Sequence, residues 1–113
     1  MAINDLTIGE ARQLIELFTP RLAAVSPDPW EIGKVYLIRT VTMIDTGRLV
    51  AVTPQELVLE DAAWIADTGR FAQAVETAEF GEVEPFPVGR RVIIGRGSII
   101  DAVTIDHAPR SQK

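Results

Sequence analysis

From Val35 to Ile44 nearly every position is β-branched, aromatic or aliphatic, interrupted only by Arg39, Thr40 and Thr42. That pattern predicts a long strand. Asp45-Thr46-Gly47 is a turn signal, and Arg48 to Val52 reads as the returning strand of a hairpin. Thr53-Pro54-Gln55 turns the chain once more, into a third strand from Glu56 to Glu60. Glu60 and Asp61 end the apolar run, and Ala62-Ala63 lead to Trp64 and Ile65. Asp67-Thr68-Gly69 is a helix-start signal, with Phe71, Ala72, Val75 and Ala78 following at helical spacing. The chain is therefore expected to bend from sheet to helix at Trp64, with Arg70 just past the bend. Phe80-Gly81 closes the helix, and Glu82 to Pro87 is expected to be an extended connection, because Pro85 and Pro87 have no N–H to donate within a central strand. Val92 to Ile94 and Ile99 to Ile105 predict two further strands, joined through Gly95-Arg96-Gly97-Ser98.

Ahead of this body, Thr7 and Glu10 form a capping box, and Leu14, Ile15, Leu17, Phe18, Leu22 and Val25 supply an apolar stripe. Pro20 ends the regular helix near Phe18 or Thr19. Ser26-Pro27-Asp28-Pro29 is a stiff polar linker. The expected organisation is a helical arm over residues 1–25, a linker over 26–30, a β-rich domain over 31–107 and a tail over 108–113. The fold class is α+β, mostly β. About five antiparallel strands form a bent sheet or a small barrel of Sm-like or SH3-like type, with one inserted helix and an N-terminal helix.

A length of 113 residues suits one modest core, and 47 % hydrophobic with 24 % charged residues describes a globular chain. No apolar run approaches the roughly 18–20 residues that cross a bilayer, and the N-terminus lacks the features of a signal peptide, so a cytoplasmic location is expected. The absence of cysteine removes disulfides and thiolate chemistry. A single histidine, His107, leaves no basis for a zinc site or a histidine triad. A net charge of −5 argues against general nucleic-acid binding. Eleven basic residues less Lys34 and Lys113 leave nine arginines, which suits two-pronged recognition of phosphate or carboxylate, or else reflects a GC-rich genome.

Several groups carry candidate chemistry. Gly95-Arg96-Gly97-Ser98 could cradle an anion through its backbone, the Arg96 fork and the Ser98 hydroxyl, or could be an ordinary turn. The run from Val88 to Ser98, which includes Arg91, is rich in arginine and free of acids. Trp64 beside Arg70 could stack on a flat ring, as could Phe71 or Tyr36, or could anchor the core. Arg39 shares a strand face with Leu37 and Val41 and needs a partner, with Glu60, Asp61 and Asp67 as the acidic choices. The acids from Glu56 to Glu84 read as solvated faces and turn caps, and no nucleophile or base is paired with them.

The segments YLIRTVTMIDTGRLVAVTPQELVLEDAAWIADTGRF, EVEPFP and VIIGRGSIIDAV resemble a group of small proteins encoded in bacteriophages and prophages. The order of a strand with Ile38-Arg39-Thr40, a Gly47-anchored hairpin, a strand ending at a Trp, a short helix and the Ile99-to-Val103 strand is also similar to the phage Thoeris anti-defence sponges. Arg39-Thr40 match that family's Arg-Thr, and Trp64 matches one member of its aromatic cluster; the neighbouring aromatics are replaced here by Ala62, Ala63 and Ile65. The resemblance implies an oligomeric, non-catalytic protein that sequesters a cyclic nucleotide signal in the host cytoplasm, with no cofactor. The residues expected to touch the ligand are Arg39, Thr40, Trp64, Arg70, Arg91, Arg96 and Ser98. Alternatives are a phage structural or interaction protein working through oligomer interfaces, and a hydrolase of the same signals using Asp61 or Asp101. The apolar stripe of the Thr7 helix is expected to serve a subunit interface, with the ligand site at or near the boundary.

Overall fold

A twelve-residue strand, β3 (Glu56–Asp67), organises the sheet in the computed structural model, which describes residues 28–113. The chain divides into two units, Met1–Trp30 and Glu31–Lys113, and every described strand and helix belongs to the second. The expected helix from Thr7 and most of the proline linker lie outside the described residues. The remaining elements are β1 (Val35–Thr40), β2 (Ile44–Val52), α1 (Phe71–Thr77), β4 (Glu82–Pro85), β5 (Val92–Gly95), a 3₁₀ turn (Arg96–Ser98) and β6 (Ile99–Thr104). They form a six-stranded antiparallel sheet of order β4-β3-β2-β1-β6. On the edge of β3 away from β2, β5 pairs with its first half and β4 with its second, Glu56↔Gly95 in one ladder and Ala63↔Pro85 in the other.

The sheet must curl. Across β5-β3-β2-β1-β6, four strand spacings of about 4.8 Å would hold β5 some 19 Å from β6 in a flat sheet. Four Cα steps from Gly95 to Ile99 reach at most about 14 Å. The inner face this creates carries Tyr36, Ile38, Leu49, Leu57, Leu59 and Ile94, all buried. No ladder joins β5 to β6, so the sheet is bent but does not close into a barrel, and the small-barrel expectation is corrected accordingly. What ties these strands is the 3₁₀ turn. The Val41 N–H donates to Ser98 O at 3.0 Å, and the Arg96 N–H donates to Gln55 O at 2.9 Å.

Helix α1 covers the outer face, where Leu37, Ala63, Ile65 and Val83 meet Ala74, Ala78 and Phe80. Seven residues cannot hold a helix by themselves, so its stability comes from this contact. It ends at Ala78, which takes a left-handed φ of 57° and returns its N–H to Ala74 O. Thr46, directly opposite Leu37 and Ala63, is fully buried and its hydroxyl has no hydrogen-bond partner among the described residues. Thr46→Val keeps the shape and removes the orphaned oxygen, so it is expected to raise stability by about 1 kcal/mol in chemical denaturation. A loss of stability would show that the hydroxyl is satisfied in solution.

Several local expectations change. The first hairpin turns at Val41–Met43, not at Asp45-Thr46-Gly47, because the Thr40 side chain closes it: Thr40 Oγ1 lies 3.1 Å from Met43 O and accepts from the Met43 N–H at 3.0 Å. Asp45, Thr46 and Gly47 are strand residues of β2. β3 does not stop at Glu60. Asp61, at φ 52°, forms a bulge opposite Gly47, and the strand continues through Trp64 to Asp67. Glu82–Pro85 is a sixth strand, tolerated because it lies at an edge. Lys113 and Val83 exchange both backbone hydrogen bonds, at 2.9 and 3.0 Å, so the end of the described chain seals that edge.

Candidate functional site

The residues singled out in the sequence fall at separate places. Arg39 lies on the outer face of β1, with its side chain 40 % exposed, and pairs through two guanidinium hydrogen bonds with Asp101 on β6. This replaces Glu60, Asp61 and Asp67 as its candidate partners, and both side chains of the pair are exposed. The same guanidinium lies 4.5 Å over the ring of Phe71. Hydrogen bonding from Arg39 holds the Asp101 carboxyl below the usual carboxylate range, and Arg39 itself is shifted up by the same contact. Thr40 spends its hydroxyl on the hairpin turn. Arg39, Thr40, Met43, Ile44 and Ile100 border a shallow hollow of about 330 Å³. Register joins Ser98 to this end of the molecule, since Thr40 pairs with Ile99 and Val41 bonds Ser98 O.

The Gly95–Ser98 segment spends its polar groups on internal structural contacts. The Ser98 hydroxyl donates to Gly95 O at 2.7 Å, and Arg96 Nη1 donates to Thr53 O at 2.9 Å. Trp64 is 41 % exposed and points away from Arg39, onto the opposite face of the sheet, between Asp45 and Glu84 in the neighbouring strands. Arg70 precedes α1, is exposed, and its side chain forms no hydrogen bond or ion pair among the described residues. Arg39 and Trp64 therefore lie on opposite faces of the sheet, while Arg70 directly precedes the Phe71 whose ring Arg39 covers.

Asp45 is affected by its surroundings. Burial beside the strands pushes its carboxyl above the usual range, and it forms no ion pair among the described residues. Its folded value exceeds its unfolded value, so the folded state holds the proton more tightly and stability falls as pH rises through that window. Asp45→Asn is expected to raise the melting temperature at pH 7, with the gain disappearing on acidification below about pH 4. A variant that melts lower at pH 7 would contradict this.

Arg91 leads to a larger, more open hollow. The chain from Pro87 to Arg90 makes a tight turn, with the Arg90 N–H on Pro87 O at 3.2 Å and Gly89 at φ 83°, the positive angle its third position requires. This turn sets Arg90 and Arg91 against Phe86, Pro87 and Val92 around an open hollow of about 420 Å³. Arg91 reaches Glu60 at 3.2 Å yet stays 66 % exposed, and the Arg90 guanidinium makes no hydrogen bond or ion pair among the described residues. The floor is fixed from behind. Arg110 donates to Ala62 O at 2.7 Å and to Phe86 O at 2.8 Å, while the Phe86 N–H bonds Ala62 O. An aromatic ring, a proline and two forked cations on a braced turn match the chemistry of a flat anionic ligand.

Phe86, Arg90 and Arg110 were not expected as site residues. The Arg90-Arg91 doublet next to the Phe86-Pro87 pair was the available signal, whereas Arg110 acts only through contacts with distant strands. Among the described residues no group of three or more potential metal-ligating His, Cys, Asp or Glu side chains occurs, and no helix is long and apolar enough to cross a membrane. Comparison of the chain with protein-family models, curated proteins and solved structures finds no match.

Proposed function

We propose that the protein is a binding protein that sequesters a small flat anion of the cyclic nucleotide type without transforming it, and that it acts as an assembly of its own copies in the host cytoplasm. The observation that carries this reading is the Phe86–Arg90–Arg91 hollow. It offers an aromatic side chain, an apolar lining and one guanidinium with no hydrogen bond or ion pair among the described residues. Its volume lies within the range of small-molecule sites, which starts at about 300 Å³. The similarity to phage sponges supplies the ligand class, and the arginines supply its charge preference. Thermal melting with a panel of cyclic dinucleotides and cyclic ADP-ribose-type compounds tests it. One class is expected to raise the melting temperature, and Arg90→Ala is expected to cut affinity at least tenfold while leaving the ligand-free melt unchanged. Failure of the whole panel overturns the reading.

A second reading, an interaction or structural protein of the phage, draws on a different observation. Val41, Met43 and Ile100 stand 72 %, 49 % and 65 % exposed around the first hairpin and β6. Such a patch is a contact surface. Many copies of the protein in purified phage particles would favour this role over sequestration.

A further inference from the structure

An antiparallel sheet leaves unpaired N–H and C=O groups along its edges, and proteins cover or blunt them. Here β4 is covered by Lys113. Among the described residues none covers β6. The register fixes which of its groups are free. Ile105 donates to Val35 O, directly opposite, so Val103 and Asp101 also turn their backbone groups toward β1. The first hairpin gives the same parity, since Thr40 donates to Met43 O and the even-numbered residues of β1 therefore face β2. Ala102 and Thr104 consequently direct their N–H and C=O groups outward, and none of these groups has a partner among the described residues.

We propose that β6 pairs antiparallel with β6 of a second copy about a two-fold axis at Val103, joining two sheets into one. This rests on the reading of the protein as an assembly of copies and adds where the copies meet. The register follows from the free groups. Pairing Ala102 with Thr104 of the other copy, twice, uses all four outward N–H groups and carbonyls. It sets Val103, 36 % exposed, directly against its symmetry mate in a non-hydrogen-bonded position. The only charge in the strand is Asp101, and in this register it faces residue 105 of the other copy and not another Asp101. β6 contains no Lys or Pro, the residues that keep edge strands apart. A second copy is the occupant because the strand is complementary to itself.

The chain has no cysteine, so the register can be read by cross-linking. Non-hydrogen-bonded antiparallel partners lie about 4.5 Å apart at Cα, within disulfide range. Val103→Cys is expected to oxidise to a covalent dimer, while Ile93→Cys, at an exposed position on β5, is expected to form no covalent cross-link. Thr104→Pro, whose N–H is not used by β1, is expected to convert the dimer to a monomer in light scattering with the melt of the domain preserved. A wild-type dimer in which Val103→Cys fails to cross-link overturns the edge pairing and leaves the assembly reading standing. A wild-type monomer at micromolar concentration overturns both. Neither result bears on the ligand hollow, which is measured by titration of the same variants.

Discussion

Phe80→Ala is expected to destabilise the domain by about 3–5 kcal/mol. The ring is 3 % exposed and sits where α1, β4 and the sheet meet, in one cluster with Leu37, Ile65, Ala74, Ala78 and Val83. Its helical neighbours are alanines, which cannot swell to fill the gap, so a cavity follows. A domain of this size has about 5–15 kcal/mol in all. At about 4–8 °C per kcal/mol, the melting temperature should fall by more than about 12 °C. Because α1 is too short to persist without its packing, hydrogen exchange in Phe71–Thr77 should rise before exchange in β1 or β2. A loss below about 1 kcal/mol would mean that the helix does not pack on this face.

Gly47→Ala is expected to cost about 1–3 kcal/mol, although alanine is ordinarily the better strand residue. A Cβ at this position would lie 2.9 Å from Leu59 Cβ, 3.0 Å from Leu59 Cδ1 and 3.2 Å from Ala62 Cβ. Leu59 and Ala62 are buried and flank the Asp61 bulge, so the bulge would have to shift as a unit. Gly97→Ala is the matched control: its Cβ would meet nothing within 4 Å and its φ is not positive. It should change stability by less than about 0.5 kcal/mol. Equal effects at the two positions would contradict the close approach at Gly47.

Period-two and period-3.6 patterns were legible wherever a segment's own residues decide its state. β5 and β6 stand within a residue or two of where their apolar runs place them, α1 follows its helix-start signal, and β1 starts at Val35 as expected but ends at Thr40, four residues before Ile44. The boundaries that moved were set by contacts the local pattern does not contain. The hairpin turn moved from Gly47 to Val41–Met43 because the Thr40 hydroxyl closes the earlier turn, and Gly47 instead relieves crowding against Leu59. β3 ran past two acids because Asp61 absorbed a bulge and Arg48 lies 3.6 Å from Glu60 and 3.5 Å from Asp61. Arg39 found Asp101, sixty-two residues away, through a strand pairing that no spacing rule discloses. The candidate site was legible only in its Arg91 corner. Arg110 reaches it from the far end of the chain, and Phe86 becomes a site residue only once the turn at Gly89 folds Arg90 beside it.

In the sequestering assembly proposed above, the Phe86–Arg90–Arg91 hollow would supply the ligand contact and the β6 edge the subunit contact. The measurement that tests sequestration most directly is calorimetric titration of the intact chain with the cyclic nucleotide that best raises its melting temperature, followed by heating and analysis of the released compound. The account predicts saturable binding, at least tenfold weaker in Arg90→Ala, with the ligand recovered chemically unchanged after prolonged incubation. No heat of binding from any member of the panel, or a ligand recovered as a linear or hydrolysed product, would contradict it.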